Sequence, residues 1–81
     1  MKLTKENVCV FIENESQLQF AKEILKKYGE SIANDGTFEL TDEQGNYLQL
    51  FKGDYKWCLL TKWKRQITIS KLEEILKNEA K

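Results

Sequence analysis

Histidine and proline are both absent from these 81 residues, and each absence closes a class of reading. Without histidine the chain lacks the commonest general base and metal ligand, and no Ser-His or Cys-His pair can be assembled for nucleophilic catalysis. Proline is missing and glycine is confined to Gly29, Gly36, Gly45 and Gly53. The chain therefore has neither a linker nor a glycine cluster to cradle a phosphate, and the glycines read as turn residues. Cysteine is limited to Cys9 and Cys58. They lack metal-ligand spacing and sit in apolar, strand-favouring runs, so both read as small core residues. A disulfide would require their strands to be neighbours and an oxidising compartment. Asp42 and Glu43 alone offer too few oxygens for a hard cation. The expectation is a non-enzymatic chain with no cofactor and no metal site.

Long apolar runs are also missing. Nothing approaches the roughly 18 residues of a membrane span, and the opening MKLTKENVCVFIENE has neither an apolar core of sufficient length nor a small-residue cleavage site. The expected location is the cytoplasm, with no membrane partner, so the sequon Asn14-Glu15-Ser16 carries no meaning there. What is present is an ordinary globular composition, 41% hydrophobic and 32% charged, without repeats or low-complexity tracts. Residues 1–81 read as a single small α+β domain.

Periodicity supplies the elements. Val8 to Ile12 is apolar at both odd and even positions, as in a strand covered on both faces. Ser16, with Gln19 three residues on, matches a capping box that opens a helix closed by Gly29. Leu18, Ala21, Ile24, Leu25 and Tyr28 form its buried stripe, and Phe20 is expected to widen it. After the turn Asn34-Asp35-Gly36, the alternation of Phe38 and Leu40 with Thr37, Glu39 and Thr41 predicts a half-buried strand. A loop from Asp42 to Asn46 precedes a strand from Tyr47 to Lys52. Gly53-Asp54 makes a two-residue connection, and a further strand runs from Tyr55 to about Thr61. Ser70 and Glu73 repeat the capping pattern, and Leu72, Ile75 and Leu76 give the last helix its apolar side. The predicted order is strand-helix-strand-strand-strand-helix: a four-stranded, mainly antiparallel sheet with two helices on one face. The simplest facing puts Leu48, Leu50, Cys58 and Leu60 under the helices. Tyr47, Gln49, Phe51, Tyr55, Trp57 and Leu59 are then left on the open side; the reverse facing buries the aromatics.

Net charge is zero, with 13 basic and 13 acidic residues, but the charges are not mixed evenly. Ser31 to Leu50 carries Asp35, Glu39, Asp42 and Glu43 and no basic residue. Phe51 to Arg65 carries Lys52, Lys56, Lys62, Lys64 and Arg65 among Phe51, Tyr55, Trp57 and Trp63. The candidate binding residues are Tyr55, Lys56, Trp57, Lys62, Trp63, Lys64 and Arg65. Exposed Trp, Tyr and Arg are the types that dominate protein–protein binding energy. The same set could stack on single-stranded nucleic acid, although zero net charge opposes long-range attraction to phosphate. A nucleotide gathered between a tryptophan and the lysines is a third reading. The competing structural reading places Trp57 in the core and Trp63 over the end of the sheet, with the lysines paired to the acidic segment or solvated.

Taken whole, from LTKENVCVFIENESQLQFAKEILKKYG through the aromatic meander to ITISKLEEILK, the chain resembles the small accessory proteins encoded by phages and mobile elements. Anti-CRISPR and other anti-defence inhibitors are among them. The resemblance is one of type over the full length and contains no diagnostic motif, so it transfers no functional residue. It implies inhibition by occupying a surface on a host protein or nucleoprotein, or sequestration of a signalling nucleotide. The charge pattern itself suits a monomer or a homodimer in which the acidic patch of one copy meets the basic patch of the other.

Overall fold

The computed structural model describes residues 3–41, 45–51, 53 and 55–79. The elements are β1 (Val8–Phe11), α1 (Glu15–Lys27), β2 (Tyr47–Phe51), β3 (Lys56–Leu60), β4 (Arg65–Ile67) and α2 (Ile69–Glu79). The fold is α+β, in the expected order of strands and helices. The sheet runs β3-β2-β1-β4. Its β1–β2 and β2–β3 pairs are antiparallel and its β1–β4 pair is parallel, so it is mixed rather than mainly antiparallel.

The membership of the sheet differs from expectation at one strand. Residues 37–41 form no strand. The stretch from Ser31 to Thr37 follows the outer edge of β3 irregularly, with a single bridge between Ile32 and Trp57. Trp57 N donates to Ser31 O, Ala33 N to Trp57 O and Leu59 N to Thr37 O. The turn at 34–36 interrupts this pairing before a regular ladder can form, and Phe38 and Leu40 reach the core from a loop. The fourth strand is instead the polar stretch Arg65–Ile67, beside β1.

One core unites both helices with one face of the sheet. Leu18, Ala21, Ile24 and Leu25 of α1 and Leu72, Ile75 and Leu76 of α2 share it with Val8, Val10, Leu48, Leu50, Trp57 and Leu59. Burial of each valine, leucine and isoleucine side chain among these is worth about 1.5–3 kcal/mol. The helices are also tied to each other where Lys27 and Tyr28 meet Glu73, at 3.3 and 3.4 Å. Both helices start two residues earlier than their Ser-based caps predict. Asn14 caps α1, accepting from Gln17 N at 2.9 Å, while Gln17 Oε1 accepts from Glu13 N at 2.8 Å. Thr68 accepts from Lys71 N at the start of α2. Phe20, expected in the buried stripe, is 53% exposed. Its position on α1 lies outside the arc that Leu18, Ala21, Ile24 and Leu25 turn toward the sheet.

The facing of β2 and β3 follows from their register. Leu48 pairs with Leu59 and Leu50 with Trp57, and paired residues share a face. Trp57 and Leu59 therefore lie under the helices, while Cys58 and Leu60 turn to the other side with Tyr47, Gln49 and Phe51. This corrects both facings drawn from the sequence. Trp57 is fully buried, and its Nε1–H donates to Glu30 Oε1 at 2.9 Å, with Lys5 Nζ at 3.0 Å from Glu30 Oε2.

Candidate functional site

The sheet face opposite the helices is crossed by the connection between β3 and β4, and this crossing organises the candidate site. Leu60 and Phe11 both pair with Tyr47, so Leu60 stands at the level of Phe11, on the far edge of the sheet. Arg65 pairs with Val8, three residues lower on the opposite edge. On a flat sheet the chain crosses three strand spacings, about 14 Å, and descends about 10 Å, in five Cα steps that reach at most about 18 Å. Thr61 to Lys64 is therefore a short strap laid diagonally over the face, with a bend at Lys64.

Three contacts hold the strap down. Gln49 Nε2 donates to Thr61 O at 2.9 Å, Cys9 Sγ–H donates to Lys64 O at 3.3 Å, and Lys64 Nζ donates to Leu50 O. Cys9 and Gln49 are consequently buried on a face that no helix covers. Burial pushes the Cys9 thiol above its ordinary 9.0, partly offset by hydrogen bonding with the Lys64 backbone and by the ammonium groups of Lys62 and Lys64. Cys9 and Cys58 both pair with Gln49 from opposite sides. Two strand spacings, about 10 Å, separate them, too far for a disulfide, and both are thiols. Among the described residues Gln49 Oε1 has no hydrogen-bond donor.

The strap divides the face. Above it, Phe11 and Tyr47 stack at 5.2 Å between ring centroids. Phe11 is exposed because β1 passes beyond the strap's cover there, so the second face of β1 is covered only in part. Below it lies a cavity of about 210 Å³ whose walls include Ala33, Thr37, Phe51, Lys56, Cys58 and Leu60, with Asp35 also at the site. Asp35 accepts from Thr37 N at 3.1 Å and Thr37 Oγ1 at 2.7 Å. These bonds, aided by the Lys56 charge, hold its carboxyl below the ordinary 3.8.

The sequence candidates separate cleanly. Trp63 stands on the strap, 64% exposed, with Lys64 Nζ 5.1 Å from its ring centroid. Lys62 and Arg65 are exposed, Lys64 is half-buried under its own hydrogen bond, and Lys56 sits at the cavity. Tyr55 is exposed at the β2–β3 turn with φ 54, a left-handed conformation that costs a bulky residue about 1–2 kcal/mol. Trp57 leaves the set, since its ring belongs to the core. Lys52 and Asp54, and Asp42 to Gln44 of the acidic loop, lie outside the described residues. Glu39 is exposed, and only Asp35 of the described acidic segment meets the basic one. Sequence reasoning missed the strap, Phe11 as part of the site, and the cavity that brings Asp35 beside Lys56. No helix among the described residues is long and apolar enough to cross a membrane, and none of their His, Cys, Asp and Glu side chains cluster as metal ligands. No protein-family model, curated protein or solved structure matches the chain.

Proposed function

We propose that this chain is a non-catalytic, cytoplasmic protein-binding module, an inhibitor or regulator that works by laying its strap-bearing face on another protein. The observation that carries this reading is the allocation of aromatics. Phe11, Phe51 and Trp63 stand exposed on the one sheet face that the helices leave uncovered and Tyr55 is exposed at its edge; Phe20, on α1, is the one other large apolar side chain exposed among the described residues. Large aromatics gathered on one surface mark interaction sites more often than scattered ones do. Two further features support it. Hydrogen bonds at Thr61 and Lys64 hold both ends of the strap that presents Trp63, which leaves it little conformational freedom to lose on binding. Tyr55 occupies a backbone conformation in which glycine or asparagine would be less strained, so its exposed ring is retained at a cost to stability. The resemblance to phage-encoded anti-defence proteins fits inhibition by surface occupation.

The test is a double variant, Trp63→Ala with Arg65→Ala, compared with wild type for its melting transition and for association with the protein captured from the cell that makes it. The expected result is an unchanged transition and association weakened by about 30-fold or more, since truncating a binding hot spot costs about 2 kcal/mol or more. Loss of cooperative unfolding would assign these residues to the scaffold. Single-stranded nucleic acid stacked on Trp63, with phosphates on Lys62 and Lys64, is the competing reading of the same face. It requires affinity that falls with salt by about 0.7 log units per log unit of salt for each phosphate engaged.

A further inference from the structure

We infer that the partner meets this face with an acidic segment carrying one bulky apolar side chain, and that this side chain seats in the cavity below the strap between Phe51, Cys58 and Leu60. The inference rests on the protein-binding reading and adds to it the chemistry of the partner.

Charge is the first support. The chain is neutral overall, but its described charges are segregated. The strap and the face beneath it carry Lys56, Lys62 and Lys64, whereas Arg65, paired with Val8, begins β4 on the helix side; the charged residues at the cavity are Lys56 and Asp35. Described ion pairs satisfy acidic groups elsewhere: Lys5 with Glu30, Lys27 with Glu73 and Lys71 with Glu74. A second copy meeting this face symmetrically would set lysines against lysines, which disfavours a homodimer through it. An acidic protein surface is complementary instead.

Size and lining are the second. A closed apolar cavity of about 150 Å³ admits a benzene molecule, so an open one of about 210 Å³ accepts a phenylalanine or leucine side chain. Its walls and floor are Phe51, Cys58, Leu60 and Ala33, while the charged groups there are Lys56 and Asp35. Asp35 already accepts two hydrogen bonds from Thr37. That leaves Lys56 as the group with which a carboxylate beside the anchor pairs. The strap begins immediately after Leu60, so it borders the cavity on the side of that residue. An apolar anchor in a pocket ringed by charge matching its flanks is the usual arrangement of a binding hot spot.

The probes are three synthetic peptides: one phenylalanine between triplets of glutamate, the same with alanine for phenylalanine, and the same with lysines for glutamates. Each is titrated into the ¹⁵N-labelled protein while amide shifts are followed. The expected result is saturable shifts at Thr37, Phe51, Lys56 and Cys58 with the acidic phenylalanine peptide, and binding at least about tenfold weaker for the alanine peptide. Ala33→Phe, which fills the mouth from the sheet edge, and Lys56→Glu should each weaken it by about tenfold. Dispersed spectra of both variants show that they fold. Shifts with the lysine peptide instead overturn the acidic-partner inference and leave the protein-binding reading standing. No saturable binding of any peptide likewise overturns the inference alone, provided that captured protein is still released by the Trp63 and Arg65 changes. Silence from all three peptides together with saturable shifts from oligothymidine overturns both.

Discussion

The two tryptophans should behave as opposites, and substituting each in turn gives a quantitative check on how the sheet faces are assigned. Trp57 is fully buried and donates to Glu30. Trp57→Phe keeps most of the ring volume but removes the N–H, leaving a partly buried carboxylate with only Lys5 as partner. A hydrogen bond to a charged group is worth about 1.5–3 kcal/mol, and the smaller ring adds a partial cavity, so the expected loss is about 2–3 kcal/mol. A chain of this length is stable by about 4–12 kcal/mol, and each kcal/mol moves the midpoint by about 4–8 °C. The transition should therefore fall by about 10–20 °C. Trp63→Ala removes a mostly exposed ring and should stay within about 0.5 kcal/mol. Urea unfolding followed by circular dichroism gives both numbers. Fluorescence of the same proteins reports the sites: Trp57 alone should emit at shorter wavelength until the chain unfolds, and Trp63 alone at the wavelength of solvated indole throughout. A destabilising Trp63→Ala beside a neutral Trp57→Phe would refute the assignment of faces.

Tyr55→Gly relieves left-handed strain and should leave stability unchanged or raise it by up to about 1 kcal/mol, while weakening association with the protein partner; calorimetry and a binding titration separate the two effects. Deleting Lys62 shortens a strap of four residues, Thr61 to Lys64. It should cost at least about 2 kcal/mol through the lost Gln49 and Cys9 contacts and make Cys9 reactive to thiol reagents, whereas inserting one glycine at the same point should cost under about 1 kcal/mol. Asp35 titrates below its ordinary 3.8 because Thr37 donates to its charged form. Its contribution to stability is thus fully present above pH 3.8 and is lost as pH falls through the lower folded value. The difference in urea midpoint between wild type and Asp35→Asn should narrow across that acid range and stay constant above it.

Local pattern made much of the fold legible, and non-local pairing hid the rest. The core stripes of both helices, the first strand and the β2–β3 hairpin follow from spacing alone. Cap positions are ambiguous because Asn14 and Ser16, like Thr68 and Ser70, are competent caps two residues apart, and hydrogen bonding of Gln17 and Lys71 selects the earlier ones. The strand Arg65–Ile67 has no apolar alternation to announce it, and its place beside β1 depends on the strap. Residues 37–41 alternate like a strand but are kept irregular by the turn at Gly36, whose φ is 94. The facing of Trp57 was within reach. A two-residue connection at 53–54 pairs residue 52 with 55 and hence 50 with 57, placing Trp57 beside Leu50. Of the candidate site, Trp63 and its cations were visible as composition, whereas the cavity, formed by Ala33 and Thr37 against Phe51 and Leu60, joins segments that sequence spacing does not relate.

The most direct test of the central claim, that the strap face binds protein, is light scattering during size exclusion of the chain purified gently from the cell that makes it. Absorbance at two wavelengths and mass spectrometry of the co-eluting material complete the measurement. The account predicts a stoichiometric protein companion that is absent when Trp63→Ala and Arg65→Ala are combined. A companion that survives that double variant, or a complex whose excess absorbance at 260 nm reveals nucleic acid in place of protein, would contradict it.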